Sequence, residues 1–160
     1  EIPETADTLE GNALIKARHV WERYGLYCFA DDTGLEVEAL DGAPGVYSAR
    51  FAGEHATFEE NVALLLERLK GVPAPRRACF RTVIALIDEY GTHFFEGAVN
   101  GEITLERSGD HGFGYDPVFR PEGCQQTFAE LSSEEKNAMS HRGRAVQRLA
   151  RYLHALPLDE

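Results

Sequence analysis

Residues 77–89, RACFRTVIALIDE, constrain the fold more than any other stretch. The run turns continuously apolar from residue 83 to residue 87. A strand with one wet face alternates apolar and polar residues, whereas an unbroken apolar run marks a strand covered on both faces, and hence a central one. A turn at Tyr90-Gly91 leads into THFFEGAVNGEITLE, again strand-like. Its Asn100-Gly101 pair reads either as a hairpin turn or as a bend in one long strand.

Helical patterns flank these strands. Ala13, Ala17, Val20, Trp21 and Tyr24 recur at helical spacing between residues 8 and 24, and Gly25 is a natural stop. Thr57 and Glu60 have the spacing of a capping box ahead of Phe58, Val62, Leu65, Leu66 and Leu69, which share a helix face. Ser132 and Glu135 repeat the capping pattern, and Val146, Leu149, Ala150 and Leu153 are expected to face inward from the last helix. Residues 27–31 and 34–40 read as two short strands around Asp32-Thr33-Gly34, followed by a loop from Gly42 to about Gly53. The pattern predicts an α/β fold, a mixed central sheet with helices packed around it.

The chain is 160 residues long and 43% hydrophobic, enough for one domain with a real core. No apolar run approaches the ~18 residues of a membrane span, and EIPETADT is not a signal peptide. Cys28, Cys79 and Cys124 lack metal-ligand spacing and are expected to be free thiols in a reducing, cytoplasmic setting. A net charge of −11 argues against a nucleic-acid polymer or an anionic membrane as partner. It does not argue against a small phosphate ligand carrying Mg²⁺, which needs carboxylates for the metal and a few local cations for the phosphates.

Four stretches can carry chemistry. Glu4, in PET, reads by itself as a solvated surface glutamate. Asp31-Asp32-Thr33-Gly34 best suits an Asx-type turn on local evidence, with a metal or water site as the other reading; alternation sends the two carboxylates to opposite faces and so to different jobs. GFGYDPVF, residues 112–119, reads as a glycine-rich turn with a core aromatic, or as a pocket in which Phe113 and Tyr115 stack on a planar ring. In EEKNAMSHRGRA, Lys136, His141 and Arg142 cannot share one side of a straight helix, since Lys136 and His141 would lie ~140° apart at ~100° per residue. A break at Ser140 would put His141 and Arg142 in the first turn of a new helix. Cations there oppose the helix dipole unless an anion sits among them.

ETADTLEGNALIKA, ADDTGLEVEALDGAPGVYSARFAG, GFGYDPVF and LSSEEKNAMSHRGRA together resemble, in order, the signature blocks of the inosine/xanthosine triphosphate pyrophosphatase family. The resemblance implies an active-site cleft between two lobes and Mg²⁺-dependent hydrolysis of ITP, dITP and XTP to the monophosphate and pyrophosphate, usually by a homodimer. It implies Glu4 and Asp32 as magnesium carboxylates, Asp32 also as general base, and Asp31 in support. Thr33, where many relatives have serine, would contact substrate. Phe113, Gly114, Tyr115 and Asp116 would line the base pocket, and Lys136, His141 and Arg142 would contact the nucleotide. The family's opening strand and Thr-x-Asn-x-x-Lys phosphate motif have no counterpart here. Residues 1–160 are therefore expected to be a single pyrophosphatase domain from which an N-terminal piece is missing. Two alternatives remain at this level: a nucleotide-binding regulatory module without turnover, and a Mg²⁺-dependent phosphatase that releases orthophosphate.

Overall fold

The computed structural model of the chain describes residues 2–157. Its elements are helix α1 (Leu9–Tyr24), strands β1 (Cys28–Val37) and β2 (Pro44–Gly45), helix α2 (Phe58–Arg68), strands β3 (Arg77–Asp88), β4 (Gly91–Ile103) and β5 (Phe119–Pro121), and helices α3 (Ser133–Met139) and α4 (His141–Ala155). The strands form one sheet in the order β2-β1-β3-β4-β5. This is the α/β architecture expected, and the described pairings are all antiparallel.

Strand β3 is central, and every residue from Val83 to Ile87 is buried. Side chains alternate along it. Ala85 and Ile87 meet Ala13 and Ala17 of α1 on one face, while Ile84 and Leu86 meet Ala145 and Leu149 of α4 on the other. Farther along the α4 face, Phe80, Leu35 and Val99 pack with Val62 and Leu65 of α2 and with Leu69 at its end. Burying each of those leucines contributes about 1.5–3 kcal/mol. Arg76, itself buried, donates to Leu69 O, Ile103 O and Thr104 O and so ties the end of α2 to the end of β4.

The helix ends follow the local chemistry. Thr8 Oγ1 accepts from Gly11 N at 3.0 Å, and Gly25, at φ 62°, closes α1. Both expected capping boxes form, Thr57 with Glu60 and Ser132 with Glu135. Ser140 ends α3 and caps α4, its hydroxyl accepting from Gly143 N at 3.0 Å.

Three expectations are corrected. Residues 28–37 are one strand, with no turn at Asp32-Thr33-Gly34, because all ten pair in register with β3 from Cys28↔Ile87 to Val37↔Ala78. Asn100-Gly101 lies within the unbroken β4, so of its two readings the single long strand holds and the hairpin turn does not. The inward face of α4 is Ala145, Leu149 and Tyr152, whereas Val146, Ala150 and Leu153 are exposed. On α1 the apolar stripe is buried at Ala13 and Ala17 but reaches solvent at Trp21 and Tyr24.

Candidate active site

The site gathers along β1, whose outer edge pairs with β2 only at Leu35 and Glu36 among the described residues. Alternation separates the two carboxylates. Asp32, opposite Val83, points toward α1; Asp31, opposite Ile84, points toward α4.

On the α1 side, Lys16 Nζ lies 2.8 Å from Glu4 Oε1 and 3.5 Å from Asp32 Oδ1. Asp32 Oδ2 is buried without a hydrogen-bond partner. Burial pushes the Asp32 carboxyl above its usual range, with the push of Glu4 and against the pull of the Lys16 charge and the nearby Asn12 side chain. The segment bearing Glu4 is held from two directions. Buried Asn12 accepts from Ala6 N at 2.9 Å, and Arg50 Nη2 donates to Glu4 O at 3.4 Å. Among the described residues no group of three His, Cys, Asp or Glu side chains is disposed to hold a metal. Two carboxylates, one with an unsatisfied buried oxygen, do fit an ion such as Mg²⁺, which commonly binds one or two carboxylates and completes its shell with water and substrate phosphate.

On the α4 side, Arg142 Nε lies 3.2 Å from Asp31 Oδ2, and its Nη2 donates to Thr33 Oγ1 at 3.4 Å. Thr33 Oγ1 also shares a 2.8 Å hydrogen bond with the buried Thr82 hydroxyl. The His141 ring stacks on Phe80, centroids 4.9 Å apart and planes 13° from parallel. Burial, then the Arg142 and Lys136 charges, pushes the imidazole down to about 4, so it is neutral near pH 7. The dipole conflict read from the sequence is thus relieved within the chain: His141 is uncharged and Asp31 supplies the anion for Arg142. His141 Nδ1 remains buried and unpartnered.

Gly97 makes this placement possible. A Cβ there would lie 2.0 Å from His141 O and 2.4 Å from Ala145 N, so only glycine lets the first turn of α4 rest on β4.

The third part is the loop before β5. Asp116, nearly fully buried, accepts from Phe113 N at 3.0 Å and pairs with Lys136 Nζ at 2.5 Å. Lys136 Nζ stands 4.6 Å over the Phe113 ring and 5.6 Å from that of Phe128. Phe128 packs on Phe80, which carries His141, so a continuous aromatic path joins Lys136 to the start of α4. Gly112 is required by this pair, since a Cβ would meet Asp116 Oδ2 at 2.1 Å. Gly114 has φ +60° with open space beside it. Phe113 is exposed, as a stacking surface must be. Tyr115 corrects the sequence reading: its ring is 5% exposed within the core, and its hydroxyl donates to Ser48 O at 2.6 Å, so it is not free to stack on a ligand.

Lys16, Arg50, Phe80, Thr82 and Gly97 were not anticipated. Lys16 alone carried a signal, a lysine bordering the buried alanine stripe of α1. A recess of about 990 Å³ against β3, β4 and β5 contains none of the expected site residues.

The Ham1 family model matches residues 1–152. The chain belongs to the Ham1 family. A dITP/XTP pyrophosphatase of Porphyromonas gingivalis is 64% identical over 153 residues, 96% of this chain and 79% of the relative's length. The corresponding Flavobacterium johnsoniae protein is 54% identical over 97% of this chain and 80% of its own length. A HAM1 protein from Coxiella burnetii superimposes with a TM-score of 0.93 at 44% identity, covering 98% of this chain and 81% of that one. The Ham1 likeness thus extends to the sheet and helices that position the site, and the mixed α/β fold is the family's.

Proposed function

We propose that the chain hydrolyses dITP, ITP and XTP to the nucleoside monophosphate and pyrophosphate, with Glu4 and Asp32 holding Mg²⁺. The observation that carries the reading is the buried, unpartnered Oδ2 of Asp32, in a strand whose other face presents Thr33 to Arg142 of α4. The names of the relatives at 64% and 54% identity support the substrate class.

Bound Mg²⁺ would offset the phosphate charges and lower the pKa of an attacking water. Asp32 Oδ2, which has no hydrogen-bond partner, would accept that water's proton, and Oδ1, which meets Lys16 in the cation-free chain, would face the ion. In-line attack at the α-phosphate then expels pyrophosphate. Arg50 keeps the Glu4 segment against the sheet. Thr33, fixed by Thr82, and Arg142, fixed by Asp31, meet the nucleotide on the other face of β1.

In the base pocket, Phe113 offers its ring, and Lys136 and Arg142 offer donors to a six-oxo group. Adenine presents an amino donor there, and the mismatch costs roughly 1–3 kcal/mol. Asp116 anchors Lys136 and Phe113, and Tyr115 anchors the loop to Ser48. Action on free nucleotides as a homodimer in the cytoplasm completes the reading; among the described residues no helix is long and apolar enough to cross a membrane.

The test is to incubate the protein with dITP or ITP and Mg²⁺ and identify the phosphate product. Pyrophosphate with monophosphate is expected, and EDTA should abolish both. Orthophosphate would favour a phosphatase, and binding without product a regulatory module.

A further inference from the structure

The Lys16 ammonium contacts one oxygen of each proposed metal carboxylate, 2.8 Å from Glu4 and 3.5 Å from Asp32. Among the described residues no other cation pairs with Asp32, and the Arg50 guanidinium reaches only to 3.9 Å from Glu4 Oε2. The ammonium therefore bridges the two carboxylates through Glu4 Oε1 and Asp32 Oδ1, the position of an ion that used the same two oxygens. A Mg²⁺ ion draws its ligand oxygens to about 2.0–2.1 Å. An ammonium hydrogen-bonded to both cannot stay between them, and like charges at that range repel. Lys16 is also partly shielded, with a side-chain exposure of 24%, so its charge is less screened than a surface lysine's.

We propose that Lys16 is a positioning residue that holds Glu4 and Asp32 together as a charge placeholder in the cation-free enzyme, and that its displacement sets the cation affinity of the site. The proposal rests on the assignment of Glu4 and Asp32 as metal carboxylates. It assigns Lys16 a role opposed to cation binding: removing the side chain should weaken the cation-free arrangement and tighten binding of the ion.

The test is Mn²⁺ titration of the metal-free full chain without nucleotide, following the free aquo-ion by electron paramagnetic resonance. Lys16→Met should bind Mn²⁺ at least about fivefold more tightly than the parent, from the loss of one nearby like charge. Lys16→Arg, which keeps the charge, should bind like the parent. The melting temperature of metal-free Lys16→Met should fall and be restored by Mn²⁺. Unchanged or weaker Mn²⁺ binding by folded Lys16→Met overturns the proposal, and Lys16→Gln replaces it should the Met variant not fold. Asp32→Asn separates the two layers: weakened Mn²⁺ binding upholds the carboxylate assignment, and unchanged binding removes that assignment and the placeholder role with it.

Discussion

Substituting Gly97 by alanine tests whether helix α4 is positioned by the sheet beneath it. The added Cβ would lie 2.0 Å from His141 O, 2.4 Å from Ala145 N and 2.9 Å from Arg144 Cβ. Non-bonded carbon contacts settle near 3.5 Å, so the first turn of α4 must retreat by roughly 1 Å or more. The nearest obstacles are backbone atoms, and no side-chain rotation relieves them. Overpacking of this kind costs about 1–3 kcal/mol, while replacing a mid-strand glycine returns about 0.5–1 kcal/mol of chain entropy, so the clash wins. The expected net loss of about 1–2 kcal/mol lowers the melting temperature by roughly 2–8 °C. Activity should suffer more than stability. His141 and Arg142 ride on that turn, and a displacement of ~1 Å at a substrate-positioning group costs on the order of 100-fold. The assay is kcat/KM for dITP beside a thermal melt. An unchanged melting temperature and unchanged kcat/KM in Gly97→Ala would refute the reasoning.

Asp32→Asn should lower turnover at least ~100-fold while keeping the fold, as loss of a general base does; near-parental turnover would remove Asp32 from the chemistry. Arg142→Ala should erode the preference for ITP over ATP by roughly 5–150-fold, whereas equal weakening of both substrates would make Arg142 a phosphate or structural residue. Asp31→Asn, which frees Arg142, should erode the same preference less, read from the same kcat/KM ratio. His141 has a folded pKa of about 4 against 6.5 unfolded. The unfolded chain therefore binds this proton first as pH falls, and stability should drop from about pH 6.5 toward pH 4. Chemical denaturation at stepped pH checks this, and His141→Phe should flatten that part of the profile.

The helix termini of this protein are determined by the sequence alone. Thr8, Thr57 with Glu60, Ser132 with Glu135, and Ser140 each satisfy backbone groups within about four residues, so their hydrogen bonds follow from local spacing. The central strand was equally legible, because its apolar run from Val83 to Ile87 has no other economical place to go. So was the opposed direction of Asp31 and Asp32, which needs only the two-residue repeat of a strand. The partners of those carboxylates were decided by tertiary structure. Lys16 reaches Asp32 because α1 packs across β1, and Arg142 reaches Asp31 from 111 positions later because Gly97 admits α4 to the opposite face. Pairing with β3 overrode the turn preference of Asp-Thr-Gly, and burial against Ser48 turned Tyr115 from a candidate stacking ring into an anchor. Local spacing specifies what a residue does to its own turn of chain. What it meets across the sheet depends on packing between segments far apart in sequence, and the charge balance of the site is set there.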